Sequence, residues 1–360
     1  MFYICSYCTG LSRNLTIQWN PLPSAITTSR ALPRNSPSPR RSRHDGRAGQ
    51  ARLLRPRTSR TGLDGTHAAA SVVALHCSLG SGRQWTKLAA ALGGDRFMAP
   101  DISGYGVAAC GRDWPRTLDG EIARLEPWLA KADGPIHLIG HSYGAAIAFR
   151  LATASPYAQH VRSLTLIEPV LPTLLRDTPA DARLYDRFAR IAQIVSKDIL
   201  DGAVMEAVEA FTAFWAGSGP REQFSPSGRL RMIEQADKLP CDFNAALDLD
   251  GVAEAARALK VPTLLLSGGL SPYVTQRIVA KLAALIDGAE LRHLPGAGHM
   301  LPVTHADRVN PEILRHIWRA EELANLELAK LELAADAGPA DAARPAGSAR
   351  RHLVFRRSLG

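Results

Sequence analysis

The chain has 360 residues, 46% of them hydrophobic, with 43 Lys+Arg against 34 Asp+Glu and a formal charge of +9. That length and apolar content suit one large packed domain or two small ones, while a basic balance ordinarily points to nucleic acid or a membrane surface. The charge is not spread that way: residues 1–65 hold eleven Arg, no Lys and two Asp, and the other 295 residues carry 32 basic and 32 acidic groups.

The first 67 residues are rich in Arg, Ser and Pro, have neither a two-residue alternation nor a 3.6-residue period, and read as a disordered basic extension. An Arg- and Ser-rich, acid-poor start resembles an organellar targeting segment. Prolines at 21, 23, 33, 37 and 39 interrupt any amphipathic helix, however, and no apolar stretch follows Arg40 and Arg41. A functional extension, a targeting segment and a translated leader ahead of the true start all stay open. Cys5 and Cys8 form a CxxC without the second Cys or His pair of a tetrahedral zinc site. Five scattered cysteines give no disulfide framework and fit a reducing, cytoplasmic setting. No run approaches the ~18–20 apolar residues of a membrane span.

From residue 71 the pattern changes. Residues 71–76 (SVVALH) form an apolar, β-branched run before a Gly-rich turn, which predicts a buried strand. A helix over 84–92, a short strand over 96–100 and the loop 101–106 follow. Then come an amphipathic helix over 118–129, a strand over 136–139, a small-residue helix over 145–154 and a strand over 163–167. Residues 171–250 contain no convincing strand but do contain helical runs at 180–194 and 203–215. A strand over 261–266, a helix over 272–285 and a strand over 290–294 complete the alternation, which implies a mostly parallel sheet flanked by helices. Helices inserted between two late strands make a natural lid over the sheet's C-terminal edge.

One long helix is predicted over 311–336, with Pro311 in its first turn and Glu327 paired with Lys330. Its distal half projects from the domain, packs on a partner or is solvated. Residues 338–360, with five Arg and one Asp, read as a second disordered basic tail. The expected organisation is therefore an extension (1–67), a first part of the core (68–170), a helical lid (171–260), a second part with the C-terminal helix (261–337) and the tail. Residues 66–337 carry 27 basic and 31 acidic groups, so the part expected to fold is mildly acidic. A nucleic-acid partner is not expected.

Gly140-His141-Ser142-Tyr143-Gly144 matches G-x-S-x-G between an apolar strand and a small-residue helix. This is the setting in which a serine is lifted onto a strained strand-to-helix turn with no room for neighbouring side chains. On these residues the chain resembles the α/β-hydrolase-fold superfamily of serine esterases and hydrolases, over roughly residues 70–318. A serine nucleophile needs a base, and the base an orienting acid. The resemblance places the base at His299, in Gly296-Ala297-Gly298-His299-Met300 after the last strand.

Many relatives carry the acid in the loop that here reads 267–272 (SGGLSP), which has no carboxylate. The fold's other location is the end of the preceding strand, where Glu168 stands. A carboxylate ending an apolar strand is costly to bury unless paired, and an imidazolium at His299 would pair it. Oxyanion donors are expected at the N–H of Tyr143 and at the loop 76–82 (HCSLGSG), where Cys77 replaces the glycine of the family's H-G-x-x-G. Ser78 N–H aligns best there, with Cys77 the fallback. Cys77 has no dedicated base to make it a rival nucleophile, and Asp101 reads as a turn-stabilising residue.

The resemblance implies a serine hydrolase of a small ester or thioester, working through an acyl-enzyme without metal or organic cofactor, on a small, apolar acyl substrate. An aspartate-nucleophile dehalogenase or epoxide hydrolase is excluded by Ser142. A carbon–carbon bond hydrolase, an acyltransferase and a non-catalytic ligand binder remain alternatives. Phe211, Phe214, Trp215 and Phe224 in the lid suit either an apolar pocket or plain core.

Overall fold

The structure, a computed structural model, describes residues 70–336 except 94–95, 110, 133 and 220–224. The N-terminal extension, the CxxC motif, the C-terminal tail and Phe224 lie outside the described residues. The first half of the core runs β1 (Ser71–Leu75), α1 (Thr86–Leu92), β2 (Phe97–Met98), α2 (Leu118–Leu129), β3 (Ile136–His141), α3 (Tyr143–Ala154) and β4 (Val161–Ile167). Five helices are then inserted: α4 (Pro179–Leu200), α5 (Val204–Ala216), α6 (Pro226–Gln235), α7 (Leu239–Leu247) and α8 (Val252–Ala258). The chain returns through β5 (Thr263–Gly268), α9 (Tyr273–Leu285), β6 (Glu290–Leu294), α10 (Leu301–Thr304) and α11 (Ala306–Asp336).

The strands form one sheet in the order β2-β1-β3-β4-β5-β6, and every pairing is parallel. Such a sheet must be covered on both faces, which explains why β1, β3 and β5 are rich in apolar residues and buried along their whole length. Successive residues still choose opposite faces. Leu75, Leu138, Leu164 and Leu265 join α2, α3, α9 and the inserted helices in one core. Val72, Ala74, Ile139, Ile167 and Leu264 join Leu88 of α1 and Val309, Ile313 and Ile317 of α11 in the other. Fully burying each such side chain contributes about 1.5–3 kcal/mol.

The strand order changes direction between β1 and β3, and the cleft beyond the strand ends at such a switch is where this kind of sheet accepts ligands. The inserted helices are anchored to the core beside that edge. Thr178 caps α4 by accepting from Asp181 N at 3.2 Å, and Pro179 fills the first helical position. Asp181 then takes Arg277 of α9 in both carboxylate oxygens (2.7 and 3.1 Å) and Lys281 at 3.1 Å, and the Arg277 bond above all holds its carboxyl well below the usual range.

Two boundaries differ from the sequence expectation. Residues 82–85 form a 3-10 turn ahead of α1. More notably, α11 begins at Ala306, so Pro311 lies in its second turn and not its first. The His305 carbonyl accepts from Arg308 N and Val309 N and starts the helix early. The stripe Val309, Ile313 and Ile317, buried on the sheet, carries the helix through the proline despite the lost backbone bond. Among the described residues no helix is long and apolar enough to cross a membrane.

Four buried histidines make the fold acid-sensitive. His76, His137, His141 and His316 all have pKa values below the ordinary one, burial being the largest cause, and His137 is pushed down to about 4. In the unfolded chain each titrates near ~6.5, so between about pH 6.5 and 4 the unfolded state binds more protons and stability falls with falling pH. The thermal midpoint should drop steadily from pH 7 to 4.5, and His137→Gln should make the drop shallower. A midpoint flat over that range would contradict this account.

Candidate active site

Ser142 sits between β3 and α3 at φ 57°, ψ −118°, a conformation that costs a residue with a Cβ ~1–3 kcal/mol. The turn is held because Ser142 N donates to Ile167 O (2.9 Å), while its carbonyl accepts from Ala145 N (3.0 Å) and Val170 N (3.3 Å). Its glycines are sterically required. A Cβ on Gly140 would stand 2.5 Å from Ala145 Cα, and one on Gly144 would stand 2.3 Å from the carbonyl oxygen of His76.

Glu168, one residue past β4, also has positive φ (48°). Its buried carboxylate is fully engaged: Oε1 accepts from Gly268 N at 2.7 Å, and Oε2 from Thr275 Oγ1 at 3.2 Å and from His299 Nδ1 at 2.7 Å. The carboxylate-free loop after β5 thus supplies donors to an acid from the neighbouring strand. On its other side, His299 Nε2 lies 2.9 Å from Ser142 Oγ. With Nδ1–H given to Glu168, Nε2 is the lone-pair nitrogen that can accept the serine proton.

Two further rings fix the imidazole. His141 Nε2 is 2.8 Å from the His299 carbonyl oxygen, which pins the backbone of the loop. Burial, the largest cause, and then the neighbouring His299 hold the His141 pKa well below its usual value, so it acts as a neutral donor. Trp215 of α5 stacks on His299 with centroids 4.3 Å apart and planes 19° from parallel.

In the loop after β1, His76 Nδ1 and Gly80 N both donate to Cys77 O, at 2.7 and 3.1 Å, and Ile102 N donates to His76 Nε2 at 2.9 Å. Because a peptide is planar and trans, fixing the Cys77 carbonyl aims the Ser78 N–H the opposite way. The Cys77 amide is directed at Gln84 Oε1, 3.5 Å distant. Asp101 accepts from Gly82 N at 2.6 Å and Val107 N at 2.7 Å, which is turn chemistry.

Ser78, Ser142 and Tyr143 line one pocket of ≈ 260 Å³, a volume that includes its open mouth. Phe188, Phe211, Trp215 and Phe243 of the inserted helices form most of its wall, with Val170 and Leu239. Asp242 of α7 closes the polar side, accepting from Ser78 Oγ and Tyr105 OH at 2.5 Å each. Behind it, Lys238 bonds both Asp242 and Glu121 of α2, the latter at 2.7 Å, with all three residues buried.

Sequence reasoning missed this ion cluster and the Trp215 stack. Glu121 within the apolar stripe of α2 and the Lys238/Asp242 spacing of one helical turn were the available signals.

The match to known proteins follows this geometry. The model of the alpha/beta hydrolase family fits residues 72–312. The chain belongs to that family. This hydrolase-family chain is 30% identical over 247 residues to lipase LipV of Mycobacterium tuberculosis, covering 65% of the chain and 87% of that protein. It is 26% identical over 205 residues to N-formylmaleamate deformylase of Pseudomonas putida, covering 56% and 71%. Among solved structures, MenH from S. aureus superposes with a TM-score of 0.58 at 19% identity, covering 72% of this chain and 96% of that one, a likeness of fold.

The row Glu168–His299–Ser142 predicts that Glu168→Gln slows labelling of Ser142 by a fluorophosphonate by about 10²-fold or more, since the replacement disrupts the imidazole's tautomer and orientation. Labelling at a near-normal rate would show that Glu168 does not orient the histidine.

Proposed function

We propose that the protein is a serine hydrolase that cleaves a small ester or thioester through an acyl-enzyme. The observation carrying this reading is the unbroken row Ser142 Oγ–His299 Nε2 (2.9 Å) and His299 Nδ1–Glu168 Oε2 (2.7 Å) opening on an apolar pocket.

In the first half-reaction Ser142 Oγ attacks the acyl carbon as its proton passes to His299 Nε2. Glu168 stabilises the imidazolium, and the Ser78 and Tyr143 N–H groups receive the oxyanion. His299 then gives the proton to the departing alcohol or thiol, leaving the acyl group on Ser142. Water, deprotonated by the same nitrogen, attacks the acyl carbon, and Ser142 leaves with the proton returned to it.

Pocket size and lining limit the acyl group. The pocket is small even with its open mouth counted, and its aromatic walls leave little room for a long chain, which favours short acyl groups. Asp242 is the charged side chain lining the pocket, and a substrate carboxylate beside it would be repelled. The lipase relative supports ester chemistry.

A panel of p-nitrophenyl esters and acyl thioesters from two to twelve carbons tests the reading. We expect kcat/KM highest at two to six carbons, at least about tenfold lower at twelve, lower still for a succinate half-ester, and abolished by Ser142→Ala. Absence of turnover across the panel, with no labelling of Ser142 in folded protein, would refute it.

A further inference from the structure

The inserted helices do more than cover the site. Ser78, on the loop after β1, donates its hydroxyl to Asp242 on α7, a contact between residues 164 apart in sequence. The loop it belongs to is not self-supporting. Leu79, the next residue, has φ 57°, a strained value for a leucine. Other hydrogen bonds hold the loop on either side of Ser78, at His76 and Cys77 before it and at Gly82, bonded to Asp101, after it. The side-chain bond to Asp242 is the tie at Ser78 itself.

Asp242 is in turn immobilised. Lys238, one turn earlier, bonds its Oδ1, Tyr105 shares its Oδ2 with Ser78, and Lys238 is also bonded to Glu121 of α2. Burial pulls the Lys238 pKa down, but the Asp242 and Glu121 charges outweigh it and carry the value up to about 12, so the ammonium persists at neutral pH. A charged lysine shared by two carboxylates offsets part of the negative charge that Asp242 presents to the pocket. The chain of contacts therefore runs from α2, through α7, back to the oxyanion loop.

We propose that Asp242 is a positioning residue for the transition state: seated by Lys238, it holds Ser78 so that the Ser78 N–H points at the oxyanion, and the inserted helices thereby complete the catalytic site. This rests on the serine-hydrolase reading above. It differs from a purely structural role because a misplaced oxyanion donor weakens the transition state more than the bound substrate.

The experiment compares wild type, Ser78→Ala, Ser78→Thr, Asp242→Asn and the Ser78→Ala/Asp242→Asn double variant with p-nitrophenyl butyrate. Asn keeps an oxygen for Lys238 but can turn an NH₂ toward the two hydroxyls. We expect Ser78→Ala to lower kcat about tenfold with KM within about twofold. Its Ki for a short-chain trifluoromethyl ketone, which forms an oxyanion on Ser142, should rise by the same factor. Ser78→Thr should restore most of kcat. Asp242→Asn should lower kcat similarly, and the double variant should be no worse than the poorer single one, because both remove one tie.

Wild-type kcat in Ser78→Ala, a loss confined to KM, or fully multiplicative losses in the double variant would overturn the proposal. If Asp242→Asn does not fold, the Ser78 variants decide alone. Wild type without turnover that depends on Ser142 would overturn the hydrolase reading and this inference together, whereas normal wild type with an indifferent Ser78→Ala overturns this inference only.

Discussion

The site depends on one peptide turn, the reversal from β3 into α3 that holds Ser142 at positive φ. Its strain is not absorbed locally. The Ser142 amide is bonded to Ile167, the last residue of β4, and its carbonyl to Val170 just beyond. Glu168, between those two partners, is itself at positive φ. The two strained residues brace one another across neighbouring strands whose register pairs His141 with Ile167. Relaxing either would move both the serine oxygen and the carboxylate relative to His299, so sheet register and site geometry are one constraint.

A second Ser, His and Glu set in the same molecule shows what chemistry alone does not supply. His137 Nδ1 lies 2.8 Å from Ser163 Oγ, and its Nε2 is 3.0 Å from Glu321 Oε1. That last contact is close but lacks hydrogen-bond geometry: the same Glu321 oxygen has no hydrogen-bond partner among the described residues. Ser163 and His137 lie inside strands β4 and β3, buried, and neither lines the pocket beside Ser142. Its strand serine is never lifted off the backbone plane. Ser142 differs through the turn that raises it and the open cleft above it.

Much of this was legible in the sequence, for identifiable reasons. Buried parallel strands have little choice but apolar runs, so β1, β3, β4 and β5 were visible. The serine turn announces itself through the glycines its sterics demand. Glu168 was readable because a carboxylate ending an apolar strand needs a partner, and because the loop 267–272 has none to offer. What stayed hidden depends on contacts across long separations: Glu121 with Lys238 over 117 residues, Ser78 with Asp242 over 164, and Trp215 on His299. Pro311 was misplaced by local reasoning, since packing of Val309, Ile313 and Ile317 outweighed the proline's usual position at a helix start.

The ionic contacts of the inserted helices are better understood as registration than as stabilisation. Burying Lys238, Glu121 and Asp242 carries a desolvation penalty that their attraction need not exceed, and apolar replacements of similar volume are often no less stable. The pocket wall itself is built of edge-on aromatic contacts among Phe188, Phe211, Trp215 and Phe243, which tolerate small shifts. Directional ties remove that freedom at two points: Asp181 with Arg277 and Lys281 at the start of the insertion, and Lys238 with Glu121 of α2 near its end. The apolar wall sets the shape of the space beside Ser142. The two ionic ties set where the wall stands relative to Ser142, which is why charge appears inside an otherwise apolar lid.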